Sequence, residues 1–278
     1  MCYRFELLEF EDCLFENVDA TYILHLEGNG RLDHIHEQLK NYHPSKKVYI
    51  VYNKGYKKCE KELETPCTVQ DILHANITVF EHAQQYKHVL VLEDDFIFNK
   101  DVSKHAIHVD DFLKRDTKFV YQLGGGPFFA LPIDMHHYRV FSGLAHANIY
   151  SYFSRQHIIN DFNQEKITGN ITGLDHYNYK VLPMYMYHKP LCYQTFPMTE
   201  NRKSWFKGDN KKLMIFSEIV WDTFLSLTNL ENEPEPGFSI MYWFAKLIPI
   251  LLLLFVLWIL RYVPSCLSCT SLKGKRVR

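Results

Sequence analysis

The 278-residue chain has almost no net charge. Its 31 Lys and Arg stand against 32 Asp and Glu, a formal −1. Without a global basic field, it is not built to hold nucleic acid by bulk electrostatics. It also lacks several motifs: no HExxH or Cys/His framework for zinc, no phosphate loop carrying Lys, and no GxGxxG opening a helix. Gly124-Gly125-Gly126-Pro127 follows a strand-like run and reads instead as a tight turn near a groove. Cysteine is sparse, seven in all at 2, 13, 59, 67, 192, 266 and 269, with no CxxC pairing before the C-terminal end. An odd count without a framework predicts mainly reduced thiols. The first twenty residues carry acids through their apolar stretch, unlike a secretory leader.

Apolar residues are plentiful: hydrophobic side chains make up 47% and aromatics 15%, ample for a packed core. One long run stands apart. FSIMYWFAKLIPILLLLFVLWIL, residues 238–260, is long enough to cross a bilayer, and Tyr242, Trp243, Trp258 and Tyr262 sit near its borders like interfacial aromatics. ENEPEPG (231–237) reads as a linker into it, and 261–278 as a basic tail. We expect a single-pass C-terminal anchor with the large domain in the cytosol, although Arg261, Lys273, Lys275, Arg276 and Arg278 after the span favour a cytosolic tail. Cys266 and Cys269, just past the span, are free thiols or lipidation sites.

Upstream, apolar strand-like runs alternate with amphipathic helical ones. Residues 20–26, 46–52 and 86–92 read as strands, and 31–42, 68–86, 105–115, 155–165 and 212–227 as helices. Further strands are expected at 118–126, 146–154 and 179–194, the last with Pro183 at an edge or bulge, while residues 1–19 read as an extension. The β-α-β-α-β order predicts an α/β fold with a mostly parallel sheet. Val89-Leu90-Val91-Leu92 has no alternation, as befits a strand buried on both faces.

That strand runs directly into Glu93, Asp94 and Asp95. Carboxylates there repel one another and lose hydration unless something compensates them. Ligands of open α/β sheets bind beyond the carboxyl ends of parallel strands, where this trio falls. Glu93 and Asp95 share one side of the strand and Asp94 takes the other. Such a pair offers hard oxygen ligands to Mn²⁺ or Mg²⁺, which would neutralise a departing nucleotide diphosphate. The bland alternative is a strand ending in solvated acids.

The region resembles glycosyltransferase family 25. The resemblance is carried by Tyr22-Ile23-Leu24-His25-Leu26 with Arg31-Leu32-Asp33-His34-Ile35, by Leu73-His74 leading to VLVLEDDFIF, and by Gly124-Gly125-Gly126, His146-Ala147-Asn148 and Leu174-Asp175-His176. It spans roughly residues 20–205. Leu73 stands where the family has serine, and Pro66 where it has glycine before Cys67. The resemblance implies a GT-A-like nucleotide-binding sandwich, with its domain over 20–210, that moves a hexose from a nucleotide sugar, such as a UDP-sugar, to a glycan, lipid or protein hydroxyl with inversion. Asp175 is then the candidate base and His176 the second; the bland reading makes Asp175 a helix cap. Glu93 and Asp95 are candidate metal ligands. His188 is a possible third or a structural histidine. Tyr22, Leu24, Arg31, Asn53 and Asp94 are placed for the donor nucleotide, or else Tyr22, Leu24 and Asn53 are core and Arg31 is solvated. A catalytically silent binding module of the same fold is the rival class, and a two-metal phosphohydrolase lacks the ligands it would need. Two sequons, at Asn76 and Asn170, and a basic run from Arg202 to Lys212, read as facing anionic lipid or solvent, complete the signals.

Overall fold

The computed structural model describes residues 1–167, 173–197, 202 and 211–270. Asn170, Lys203, Lys207 and the basic residues from Lys273 onward lie outside the described residues, as do the side chains of Lys211, Lys212, Cys266 and Cys269. Three apolar runs, β2 (Ala20–Leu26), β3 (Lys47–Asn53) and β4 (His88–Glu93), lie side by side and parallel in the order β3-β2-β4. Residues 88–92 of β4 are all buried because helices cover both faces. Val89 and Val91 pack with α2 (Thr68–His82), whereas Leu90 and Leu92 pack with α1 (Leu32–Asn41) and α3 (Val102–Leu113). Each such side chain contributes about 1.5–3 kcal/mol on burial, so the two-sided packing fixes this strand more firmly than any edge.

The full sheet has seven strands in the order β1-β3-β2-β4-β7-β6-β8. Strands β2, β3, β4, β6 (Val120–Pro132) and β8 (Met184–Tyr187) share one direction; β1 (Tyr3–Glu9) and β7 (His137–Ser151) oppose it. The protein is therefore a mixed α/β fold whose central sheet is mostly parallel. Residues 3–9, read from sequence within an extension, are an edge strand paired antiparallel along β3, with only Tyr3 buried. The strands expected separately at 118–126 and 146–154 are two arms of one bulged hairpin. This hairpin curls over: β8 pairs with the start of β6 through Val120↔Met184 and with the start of β7 through His137↔Tyr187.

The expected strand at 179–194 dissolves into three pieces. Helix α5 (Gly173–Val181) ends just before Pro183, β8 follows, and β9 (Cys192–Tyr193) pairs antiparallel with β5 (Ile97–Phe98). Pro183 ends a helix here rather than bending a strand. Helix α4 (Tyr152–Asn163) begins with the Ser151 side chain accepting from the Ser154 N–H. Helix α6 (Lys211–Thr228) then leads to α7 (Gly237–Thr270), of which Gly237–Arg261 is long and apolar enough to cross a membrane. Only its first turns pack on the domain, through Phe238, Tyr242 and Ala245. Cys2 and Cys59 form a disulfide with Cα atoms 5.6 Å apart, while Cys13, Cys67 and Cys192 are free, so one bridge stands beside the mainly reduced thiols that the sequence predicts.

Candidate functional site

The alternation of β4 carries past its last buried residues. Glu93 follows Val89 and Val91 toward the α2 and α5 side, and Asp94 turns the other way. Asp94 is enclosed by the loop after β2. Its Oδ2 accepts from the Leu26 N–H at 3.0 Å and from Asn29 Nδ2 at 2.5 Å, with His25 Nδ1 at 3.3 Å, and its Oδ1 accepts from Arg31 Nη1 at 2.8 Å. Burial pushes this carboxyl up, but the bonds from His25, Arg31 and Asn29 outweigh it and hold it below the usual carboxylate range. Arg31 therefore lies on the acids rather than in solvent.

The other two carboxyls are less well served. Arg31 Nη1 also reaches Asp95 Oδ2 at 3.1 Å, while Asp95 Oδ1 is buried with no hydrogen-bond partner. Burial raises the Asp95 pKa against the pull of Arg31. Glu93 takes no hydrogen bond from a described residue, and burial, helped by Asp95, Asp94 and Asp175, pushes it up to about 8. One guanidinium thus answers for three acids.

Asp175 closes the opposite wall. Gly173 enters α5 at φ +81°, and a Cβ there would come within 2.9 Å of Asp175 Oδ1, so glycine is required. Asp175 accepts the His176 N–H at 2.9 Å and an N–H from Leu144, itself held at φ 63°. Burial nonetheless raises its pKa. The His176 ring is bonded through Nδ1 to the Tyr179 hydroxyl, which leaves Asp175 as the freer of the two candidate bases.

Side chains that the sequence reading passed over fill the same face. Gln122 on β6, His146, Asn148 and Tyr150 on β7, and Asn178 on α5 are all buried. Asn148 and Asn178 donate to the Tyr150 hydroxyl at 3.3 and 3.0 Å, and burial first, with Asp175 and Glu93 adding, pushes Tyr150 up to about 12. Among the described residues, Gln122 Oε1, Asn148 Oδ1 and Asn178 Oδ1 lack hydrogen-bond partners. Buried polar atoms are nearly always paired, so such a concentration calls for water or ligand between them. The signal in sequence was His146, Asn148 and Tyr150 at alternate positions of a strand whose other face is apolar.

Other expected residues are drawn elsewhere. Tyr22 is fully buried, stacked on Tyr49 at 4.7 Å and bonded to His82 Nδ1 at 2.8 Å, so it is core. Asn53 accepts from Lys61 Nζ at 2.6 Å and donates to Asp71 at 3.3 Å, inside a buried Lys61–Asp71 ion pair. Leu24 pairs in register with Glu93 and packs against the core. His188 is not with Glu93 and Asp95: it stands among His105, His136 and Tyr187 at ring separations of 6.2, 6.0 and 4.2 Å. Among the described residues no group of three or more His, Cys, Asp or Glu is set to hold a metal. The pair Glu93 and Asp95, with its orphaned Oδ1, fits a cation only if water or ligand completes the shell. Arg202, expected in a lipid-facing run, is instead buried against Asp222 and Glu231 at 2.9 and 2.6 Å.

No family model and no curated protein matches the chain. Among solved structures, it is similar to A197 from STIV at 13% identity, covering 66% of this chain and 87% of that one with a TM-score of 0.38. It is also similar to a glycosyltransferase involved in the glycosylation of the major capsid of PBCV-1, at 9% identity, 72% and 99% coverage and a TM-score of 0.36. Overlaps this slight decide nothing about activity. The site's own geometry has to do so.

Proposed function

We propose that the protein is a glycosyltransferase moving a hexose from a nucleotide sugar, such as a UDP-hexose, to a hydroxyl acceptor with inversion, on a GT-A-like sandwich as in the family it resembles. The observation that carries this reading is the carboxylate trio at the carboxyl end of the central parallel strand, which among the described residues has Arg31 as its one bonded guanidinium and faces Asp175. A self-repelling buried cluster is costly to keep, and such cost is characteristic of sites that meet charged ligands.

Asp175 takes the proton of the acceptor hydroxyl as that oxygen bonds to the anomeric carbon, and the bond from that carbon to the diphosphate oxygen breaks with its electron pair. Its pKa, raised by burial, strengthens it as a base. Glu93 and Asp95 would hold Mn²⁺ or Mg²⁺, which when bound offsets charge on the departing diphosphate. Arg31, fixed by Asp94, adds positive charge beside them. The unpaired amide oxygens of Gln122, Asn148 and Asn178 suit sugar hydroxyl donors.

Assay of a donor panel for Mn²⁺-stimulated sugar release, with Asp95→Ala and Asp175→Asn, tests this. Activity on one UDP-sugar, lost in both variants, is expected. Absence of turnover on every donor, alongside thermal stabilisation by a nucleotide sugar, would replace it with the silent binding module, a reading that Leu73 in place of the family's serine favours.

A further inference from the structure

A cavity of about 400 Å³ lies away from the carboxylates, where α7 leaves the domain. Its walls combine two kinds of chemistry. Trp243, Leu247 and Ile250 are apolar and exposed, and Lys189 and Lys246 carry charge. Lys246 is the single charged residue between Gly237 and Leu260. Its Nζ donates to the His188 carbonyl and stands 5.1 Å from the Tyr138 ring, so the side chain is turned toward the domain. Lys189, next in sequence to His188, is exposed. Neither lysine has an acidic partner among the described residues.

Glu235 borders the same cavity, but its carboxylate is occupied. It accepts from the Tyr193 hydroxyl at 2.8 Å, the Ser239 hydroxyl at 2.9 Å and the Ser239 N–H at 3.2 Å. The cavity is left cationic. Burial, then Lys189 and Lys246, push His188 down to about 4, in keeping with that field, and its Nδ1 is buried without a partner. The location matters as much as the charge. Up to Arg261, Ala245 is the last α7 residue buried on the domain, and the large apolar side chains from Leu247 to Leu260 are exposed. A bilayer crossed by α7 would meet the domain at this level, with its headgroups at the two lysines and its acyl chains along Leu247 and Ile250.

We infer that this cavity binds the phosphate of a membrane lipid, gripped by Lys189 and Lys246 while the chain lies on Trp243, Leu247 and Ile250. The occupant is a lipid because the apolar wall is continuous with the spanning helix and serves no purpose for a soluble anion. The site is separate from the carboxylates and stands whether or not the chain transfers sugar.

The test uses the full chain reconstituted in phosphatidylcholine nanodiscs with and without phosphatidate, and native mass spectrometry of retained lipid. Phosphatidate is expected to be retained well above phosphatidylcholine. Lys189→Gln and Lys246→Gln should each cut that preference about fivefold, as a lysine near an anionic membrane surface is worth. Lys189 is exposed, so its variant reads the site even if Lys246→Gln does not fold. Equal retention of the two lipids, or an unchanged preference in Lys189→Gln, would overturn the inference. Displacement of phosphatidate by inorganic phosphate alone would also overturn it, since the site would then take a soluble anion.

Discussion

Arg31 and Glu93 show how single residues set the state of the site. Arg31 bonds Asp94 at 2.8 Å and Asp95 at 3.1 Å with one nitrogen, and its side chain is 31% exposed. Removing it by Arg31→Met leaves Asp95 without its cation and Asp94 with only His25, Asn29 and the Leu26 N–H. We expect a loss of about 3 kcal/mol in thermal or denaturant unfolding, at the lower end for buried pairs because water reaches the guanidinium. Arg31→Lys should recover only part, since one ammonium cannot span both carboxylates equally. Glu93 behaves in the opposite sense. Its pKa rises from an ordinary 4.5 to about 8 in the fold, chiefly by burial. The folded chain then keeps a proton that the unfolded chain gives up, so stability falls as pH rises between these values, by up to about 1.4 kcal/mol per pH unit. Glu93→Gln removes the titrating group. Its stability in EDTA should be flatter across pH 5 to 8.5 than the wild type's, and it should unfold later at the alkaline end. Parallel curves would mean that Glu93 is ionised throughout.

The elements differ in how openly the sequence declared them. Strands β2, β3 and β4 and helices α1 and α2 were legible because local pattern and tertiary demand agree: apolar runs where both faces are covered, helical spacing where one face is. The acids closing β4 were legible for the same reason, since the break from apolar to charged is abrupt. The β6–β7 hairpin was not. Gly124-Gly125-Gly126-Pro127 read as a tight turn, and only pairing with the partner arm makes it strand. The start of helix α5 was foreseen only in the alternative reading of Asp175 as a helix cap, and its end was hidden because 179–194 read as a strand. The orphaned amides of Gln122, Asn148 and Asn178 come from three separate elements, so no local motif could gather them. The hairpin also yields a prediction. A Cβ on Gly124 would fall 1.8 Å from the Cys192 carbonyl and 2.6 Å from His146 Nε2. Backbone cannot yield as a side-chain tip does, so Gly124→Ala should cost several kcal/mol, on the order of 3. Gly30→Ala meets no atom within 4 Å, though at φ +79° it pays the left-handed strain, and should cost only about 1 kcal/mol. Comparable melting temperatures for the two would refute close packing at Gly124.

For the whole molecule, a helix long and apolar enough to cross a membrane raises the question of which side the domain would face if α7 does cross one. The sequence led us to expect the cytosol, yet Cys2 and Cys59 are joined, and disulfides persist in oxidising compartments. The charges agree with the disulfide: Arg261 and the basic residues after the span favour a cytosolic tail, which puts the domain on the other side. The sequons are less telling. Asn76 lies buried in α2 and donates to the Ile72 carbonyl at 2.9 Å, so a folded domain would not present it for glycosylation. Two independent features thus point outward. In microsomes from expressing cells, the domain should resist added protease until detergent is present, while an epitope after Arg278 is digested at once. Before reduction, maleimide should label Cys13 or Cys67 but neither Cys2 nor Cys59. A digested domain with a protected epitope, together with full labelling of Cys2, would restore the cytosolic placement. It would also mean that the start of β1 meets the 54–66 loop only through noncovalent contacts, such as the Lys54 N–H on the Cys2 carbonyl at 3.2 Å and Lys61 Nζ 4.5 Å from the Tyr3 ring.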